Sequence, residues 1–304
     1  MSKVVVFAYH AVGVRGLKAL LALGLDIQCI VTHPDDAAET VWFDSVAQLG
    51  RDYNIPTLFS DSVTEQDLIE RLQHLQPDFI FSFYYRQMLS QRVLDCAARG
   101  AYNLHGSLLP KYRGRAPVNW AILHGEAETG VTLHAMTAKP DAGHVVDQVA
   151  VPILPDDNAH EVFSKIVVAA EQCLLRAVPR LLNGTAVLHP QNLAEGHYFG
   201  GRTADDGRFK LNWSAQRIHN LVRAVTRPYP GAFIDTPQGR LNLWKTRALP
   251  GELPVELPQR DTLMVQNGQL CLQPSGGGLL LILDADLNGQ ALTATSAVLP
   301  MVLT

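Results

Sequence analysis

The sequence predicts an α/β protein: a mainly parallel sheet with helices on both faces, followed by a small domain of short β-strands. Three observations carry that expectation. Continuous apolar runs at residues 3–9, 27–31 and 78–83 read as strands buried on both faces, as in a parallel sheet. Helical apolar spacing lies between them, first at Leu17, Leu20, Leu21 and Leu23, which gives the rhythm of βαβ units. Past Pro190 the pattern becomes short strands divided by turns, as expected of a small β-barrel.

Taken in order, Gly13 and Gly16 open the first helix and Gly24 ends it. The turn ahead of it reads Tyr9-His10-Ala11-Val12-Gly13-Val14-Arg15-Gly16. It lacks a full G-x-G-x-x-G, so the dinucleotide fingerprint is not met. A polar loop at 33–43 carries Asp35, Asp36 and Glu39, and Asp44 follows it. Helices are expected at 45–52 and 65–75, around a short segment at 55–58. The strand at 78–83 runs into Tyr84-Tyr85-Arg86-Gln87-Met88-Leu89, aromatic and cationic groups suited either to capping the core or to walling a flat ligand. A helix at 90–98 leads to a strand at 100–104. After an irregular stretch, Pro117 is placed to open a helix over 118–123. Strands at 129–136 and 145–151 flank a tight turn holding Pro140, Asp141 and Gly143. A long amphipathic helix over 160–182 stops at Asn183-Gly184. Residues 196–207 read as a Gly- and charge-rich linker and 214–225 as a helix. Strands are expected at 231–233, 239–244, 269–272 and 279–284. The domains are placed at 1–203 and 204–304.

Bulk properties narrow the classes of function. At 304 residues, 47% hydrophobic and 18% charged, the chain has the composition of an ordinary globular protein. A net charge of −4 provides no overall basic field to attract nucleic acid, so no nucleic-acid partner is expected. Cys29, Cys96, Cys173 and Cys271 lie far apart, with no CxxC and no zinc-type spacing, so reduced thiols and no metal are expected. Met1-Ser2-Lys3 passes straight into an apolar strand, unlike a signal peptide. No apolar run approaches the roughly 18 residues that span a bilayer, so no membrane insertion is expected and the location read is cytoplasmic.

The stretch that demands a chemical reading is Asn103-Leu104-His105-Gly106-Ser107-Leu108-Leu109-Pro110-Lys111-Tyr112-Arg113-Gly114-Arg115-Ala116-Pro117. Alternate residues of a strand share a face, so Asn103 and His105 can enter the same space. An amide N–H suits an oxyanion. An imidazole moves protons near neutral pH, and a carboxylate close by, such as Asp141, favours the imidazolium. No Ser, Cys or Lys stands in a nucleophile setting: Ser107 lacks G-x-S-x-G and no cysteine is near. These residue types therefore point to direct transfer onto an incoming amine. His10 is a further candidate and His144 borders the site. His124, His134, His160, His189, His197 and His219 read mostly as surface or satisfied core groups.

The motif Asn103-x-His105-x-Ser107-Leu108-Leu109-Pro110-x-x-Arg113-Gly114-x-x-Pro117, followed by Asp141-Ala142-Gly143, resembles the folate-dependent formyltransferases. The resemblance implies a Rossmann-like domain plus a small C-terminal barrel of OB type, with 10-formyltetrahydrofolate as donor and a primary amine as acceptor. It implies that Asn103 stabilises the tetrahedral oxyanion, that His105 is the general acid/base and that Asp141 supports its charged form. Folate would lie against Gln87, Met88 and Leu89 and against Thr137, Ala138, Lys139, Pro140 and Asp141, with Arg115 nearby. Within the family, Phe81-Ser82-Phe83-Tyr84-Tyr85-Arg86, Arg202-Thr203-Ala204-Asp205-Asp206 and Pro228-Tyr229-Pro230-Gly231 are most similar to the branch that formylates UDP-4-amino-4-deoxy-L-arabinose for lipid A modification. Gly201 stands where that branch has a second arginine.

That likeness implies a nucleotide-linked sugar held by Tyr9, His10, Arg113, Arg202, Arg223 and Tyr229, the arginines serving its diphosphate. Other UDP- or dTDP-4-amino sugars stay open. So do a stand-alone chain, a homo-oligomer or fusion to a decarboxylase domain. A methionyl-tRNA formyltransferase would share the motif but calls for a basic loop where Asp35 and Asp36 stand. A ligand-binding regulator has no need to keep Asn103, His105 and Asp141 together.

Overall fold

The computed structural model describes residues 1–34, 43–249 and 260–303, so the acidic positions Asp35, Asp36 and Glu39 lie outside the described residues. The chain forms two compact units. One holds Met1–Pro117, Glu128–Val151 and Phe163–Gly200; the other holds Val118–Ala127, Pro152–Val162 and Gly201–Thr304. The chain thus enters the second unit twice before its final entry at Gly201.

The alternation begins β1 (Lys3–Ala8), α1 (His10–Ala22), β2 (Asp26–Thr32), α2 (Val46–Asp52), β3 (Thr57–Phe59), α3 (Glu65–Leu75), β4 (Phe79–Phe83), α4 (Gln91–Leu94) and β5 (Ala101–His105). It continues with β6 (Arg113–Gly114), α5 (Pro117–Leu123), β7 (Glu128–Ala135), β8 (Val145–Pro152), α6 (Ala159–Leu182) and β9 (Tyr198–Phe199). The main sheet runs β3-β2-β1-β4-β5-β7-β8. From β3 to β5 every pairing is parallel, and β7 joins β5 antiparallel. Val4 through Ala8 are fully buried, as a strand covered on both faces must be. Helix α1 packs in contact with β4: a Cβ at Gly16 would lie 2.5 Å from the Phe83 ring. Helices start where hydroxyls cap them, Ser45 on the Gln48 N–H and Thr64 in a reciprocal box with Asp67.

Two local expectations are corrected. The helix foreseen over 90–98 is only α4, because the residues after it turn back to bond the chain beside β4, with the Ala98 and Arg99 N–H groups donating to the Pro77 and Asp78 carbonyls. The linker foreseen over 196–207 is structured. Its Tyr198 and Phe199 pair in parallel with β6, and residues 204–207 form a 3-10 turn behind a Thr203–Asp206 capping box.

In the second unit, α7 (Ala215–Val225) is capped by Ser214 and buries Ile218, Leu221 and Val222. The strands are β10 (Ala232–Thr236), β11 (Gly239–Leu249), β12 (Thr262–Gln266), β13 (Gln269–Leu272), β14 (Leu279–Leu287), β15 (Gln290–Ala291) and β16 (Met301–Val302). They make an antiparallel sheet in the order β10-β11-β14-β13-β12-β16, with β15 paired to β14. Strands β12, β15 and β16 lie outside those expected from the sequence, and β11 runs past its expected end at 244, where irregularities between Leu243 and Thr246 break the simple alternation.

Beneath the irregular stretch after β5 sits Thr132 of β7, fully buried. Its hydroxyl donates to the Ser107 carbonyl at 2.6 Å and accepts from the Leu109 N–H at 3.0 Å and the Gln148 amide at 2.8 Å. Thr132→Val keeps the shape and strands these partners, so it should lower stability by about 2–3 kcal/mol, read from the urea midpoint.

Candidate active site

The last turn of β5 delivers Asn103 and His105 to one face. His105 is buried, and its Nε2–H donates to the Tyr112 carbonyl at 2.8 Å. The other ring nitrogen, Nδ1, faces Asp141 Oδ1 at 3.6 Å. Asp141 sits in the turn between β7 and β8 with φ +52, a left-handed backbone that Asp tolerates better than most residues. Its Oδ2 accepts from the Gly114 N–H at 2.8 Å. The turn is held from behind: the Gln191 amide donates to the Asp141 carbonyl at 3.1 Å and to the Gly143 carbonyl at 2.6 Å. Gly143 has no room for a Cβ, which would run into the Ala135 carbonyl.

A fourth side chain, which the sequence reading assigned to surface or core, completes the cluster. His134 on β7 is buried, with Nδ1–H donating to the Ala135 carbonyl at 2.9 Å. Its Nε2 lies 3.1 Å from Asn103 Nδ2 and 3.5 Å from Asp141 Oδ1. The cause is register, since Asn103 pairs directly with His134 across the antiparallel β5–β7 ladder and opposed residues share a face. Burial pushes the Asp141 carboxyl up. The His105 imidazole, the His134 ring and the Gly114 N–H outweigh it and hold the group well below the usual carboxylate range. Asp141 is therefore a fixed negative charge between two imidazoles.

Ser107 is no nucleophile. It is fully buried, and its hydroxyl donates to the Lys111 carbonyl at 2.6 Å. What converges is an amide, two rings and a carboxylate, equipped to hold an oxyanion and move a proton.

The remaining expected site residues divide. Gln87, Met88 and Leu89 line a pocket of about 250 Å³ together with Tyr85, Ser60, Thr64 and Val93. Thr137, Ala138 and Lys139 are exposed and Pro140 half-buried, all on the turn that carries Asp141; Arg115 is exposed beyond β6. Tyr9 is buried under the Arg86 guanidinium, 4.5 Å from its ring centre. Tyr85 stacks on His33 at 4.3 Å, and the His33 Nε2 accepts the Arg86 N–H at 2.9 Å. The half-buried His10, with φ +66, lies against Phe43 with ring centres 3.7 Å apart.

Two arginines expected to meet a diphosphate are committed elsewhere. Arg113 is buried, with Nη2 donating to the Leu193 and Gly196 carbonyls at 3.1 and 2.8 Å. In the second unit Arg223 is buried and donates to Asn220 Oδ1 and the Asp157 carbonyl, both at 2.8 Å. Such bonds satisfy in part guanidinium groups that burial would otherwise penalise, with Nε of each left unbonded, and both tie distant carbonyls as struts. Arg202 lies half-buried over the Trp120 ring at 4.7 Å and donates to the Asp206 carbonyl at 3.0 Å; Tyr229 is half-buried. Among the described residues no group of three His, Cys, Asp or Glu could hold a metal, and no helix is long and apolar enough to cross a membrane.

The antiparallel β5–β7 ladder and the β7–β8 turn bring an amide, two imidazoles and a carboxylate together, groups equipped for transfer chemistry. The formyl transferase family model matches residues 3–178 and the formyl transferase C-terminal domain matches 202–299, so the chain belongs to the formyl transferase family and is a formyltransferase. Solved structures share the fold. An N-formyltransferase from Helicobacter canadensis, in complex with folinic acid and dTDP-3-aminofucose, is 18% identical with a TM-score of 0.71, over 96% of this chain and 100% of that one. WlaRD, a sugar 3N-formyl transferase studied with dTDP and 5-N-formyl-THF, is 20% identical with a TM-score of 0.69, over 96% and 98%. HypX from Aquifex aeolicus, in complex with tetrahydrofolic acid, is 16% identical with a TM-score of 0.62; 98% of this chain matches 47% of that one.

Two outcomes follow from the geometry. His134→Phe removes the ring nitrogen beside Asn103 and Asp141, and turnover should fall about ten- to a hundredfold in steady-state assays. Burial, then the Arg86 charge, pushes the His10 imidazole down from 6.5 to about 3. Between those values the unfolded chain binds a proton that the folded chain refuses, so stability falls as pH drops through that window. His10→Asn keeps a residue suited to the left-handed backbone, and its urea midpoint should fall less than that of the wild type between pH 7 and pH 4.5.

Proposed function

We propose that the protein transfers the formyl group of 10-formyltetrahydrofolate to the amino group of a nucleotide-linked sugar. The observation that carries this reading is the cluster of Asn103, His105 and Asp141, with the Ser107 hydroxyl locked into backbone bonds. With no covalent relay offered, the acceptor amine attacks the formyl carbon directly. A C–N bond forms and the carbonyl oxygen gains charge, which the Asn103 amide N–H is placed to stabilise. The amine gives up a proton to the His105–Asp141 pair, N10 of the folate takes one as its C–N bond breaks, and protons balance. The pocket at Gln87, Met88 and Leu89 supports a place for the folate, since a flat, partly apolar ring system suits its lining.

Among acceptors, UDP-4-amino-4-deoxy-L-arabinose is favoured by the likeness across residues 3–240, and lipid A modification and polymyxin resistance would follow from that substrate. The related structures bind dTDP or a dTDP-linked 3-amino sugar, which keeps dTDP sugars in the test. With Arg113 and Arg223 acting as struts, the proposed contacts to the nucleotide sugar are Arg202, Tyr9, His10 and Tyr229, with Arg115 beside the folate. The net charge of −4 disfavours tRNA as acceptor.

The deciding experiment mixes the protein and 10-formyltetrahydrofolate with a panel of UDP- and dTDP-linked amino sugars and with charged initiator tRNA. Release of tetrahydrofolate with a UDP-4-amino sugar is the expected result; release with the tRNA alone overturns the reading. Asn103→Ala should lower kcat by roughly a hundredfold or more, and near-normal turnover in that variant removes the oxyanion role.

A further inference from the structure

The backbone groups that bond the catalytic pair come from one short ribbon. The Tyr112 carbonyl takes the Nε2 proton of His105 at 2.8 Å, and two residues later the Gly114 N–H donates to Asp141 Oδ2 at 2.8 Å. Between them, the Arg113 N–H points the other way, to the His197 carbonyl at 3.1 Å, and the Arg115 N–H follows it to the Phe199 carbonyl at 3.0 Å. Strand β6 therefore grips β9 with one edge and serves His105 and Asp141 with the other.

Three further contacts fix β9 and the segment ahead of it against this ribbon. The buried Arg113 guanidinium holds the Leu193 and Gly196 carbonyls. The Tyr112 ring stacks on Phe199 with centres 5.2 Å apart. Glycines allow the closest approaches: a Cβ on Gly114 would meet the Phe199 carbonyl, and one on Gly196 would meet the Pro110 carbonyl. Tyr112 itself has φ +54, a left-handed backbone that is uncommon for a bulky residue.

The two neutral tautomers of an imidazole are close in energy, so the hydrogen bond at one nitrogen selects the proton's place. With Nε2–H tied to the Tyr112 carbonyl, the lone pair of neutral His105 sits at Nδ1, opposite the Asp141 carboxylate. That gap is where a proton taken from the acceptor is best held.

We propose that Arg113 is a positioning residue for formyl transfer. It clamps residues 193–199 onto 112–114 and so fixes the carbonyl and the N–H that orient His105 and Asp141. The inference deepens the proposed reaction and rests on it for kinetics only, because the state of the imidazole can be read without turnover.

The test compares Arg113→Gln, Arg113→Lys and Phe199→Ala with the wild type, using thermal unfolding, kcat and KM for both substrates, and 15N NMR of the His105 ring. Phe199→Ala weakens the same clamp without disturbing a buried charge, so it decides the matter if Arg113→Gln fails to fold. In folded variants, kcat should drop by about 10- to 100-fold, with both KM values within about threefold of the wild type. The neutral His105 ring should lose its pure Nε2–H form, and Arg113→Lys should recover part of both. Folded variants that keep kcat and the Nε2–H form overturn the proposal. So does a large rise in the nucleotide-sugar KM at unchanged kcat, which would return Arg113 to the substrate. A wild type that transfers no formyl group refutes the reaction, while the ring signal still tests the clamp.

Discussion

The organisation of the first unit depends on keeping one carboxylate ionised in a largely dry place. Asp141 loses hydration by being buried, and the loss is offset from three parts of the chain: the His105 ring from β5, the His134 ring from β7 and a hydrogen bond from the Gly114 N–H of β6. None of these suffices alone, since a buried charge left partly satisfied costs several kcal/mol. The requirement therefore ties together the end of β5, the excursion that follows it, and the β7–β8 turn. Gln191 and the close approach of Gly143 to the Ala135 carbonyl hold that turn in its left-handed form. The amide, the two rings and the carboxylate are held together by the contacts that satisfy this charge.

Buried cations meet the same demand for satisfaction. Arg113 and Arg223 look alike in sequence to residues that would bind phosphate, and both are buried against carbonyls. A guanidinium offers five donors in a fixed fork, which suits it to gathering carbonyls from irregular chain as well as to binding phosphate. The two uses are indistinguishable from residue identity and become distinct only when the acceptors are known.

Much of the framework was legible in the sequence because it is locally determined. Apolar runs fixed β1, β2 and β4, Asn183-Gly184 marked the end of α6, and the Asn103-x-His105 alternation placed both groups on one face. What stayed hidden depended on pairing between distant segments. His134 could be linked to Asn103 only by the antiparallel register of β5 with β7, and nothing in either strand states its partner or direction. Residues 196–199 looked like linker because a two-residue strand has no period to detect, and its pairing with β6 uses backbone atoms alone. Strands β15 and β16 went unread because each has only two residues and no period to detect.

The β5–β7 ladder has a consequence for how such a chain can diverge. The strands that carry Asn103, His105 and His134 are locked in register, while the chain between them makes a long excursion through β6 and α5. Arg113, Val118, Asn119, Ala121 and Ile122 of that excursion are buried, so only its exposed positions tolerate the cheap lengthening open to a surface loop. A slip of β7 by a single residue along β5 would turn the His134 ring away from Asn103 and His105. Insertions are therefore excluded from the ladder, and change there is limited to substitutions that keep its register.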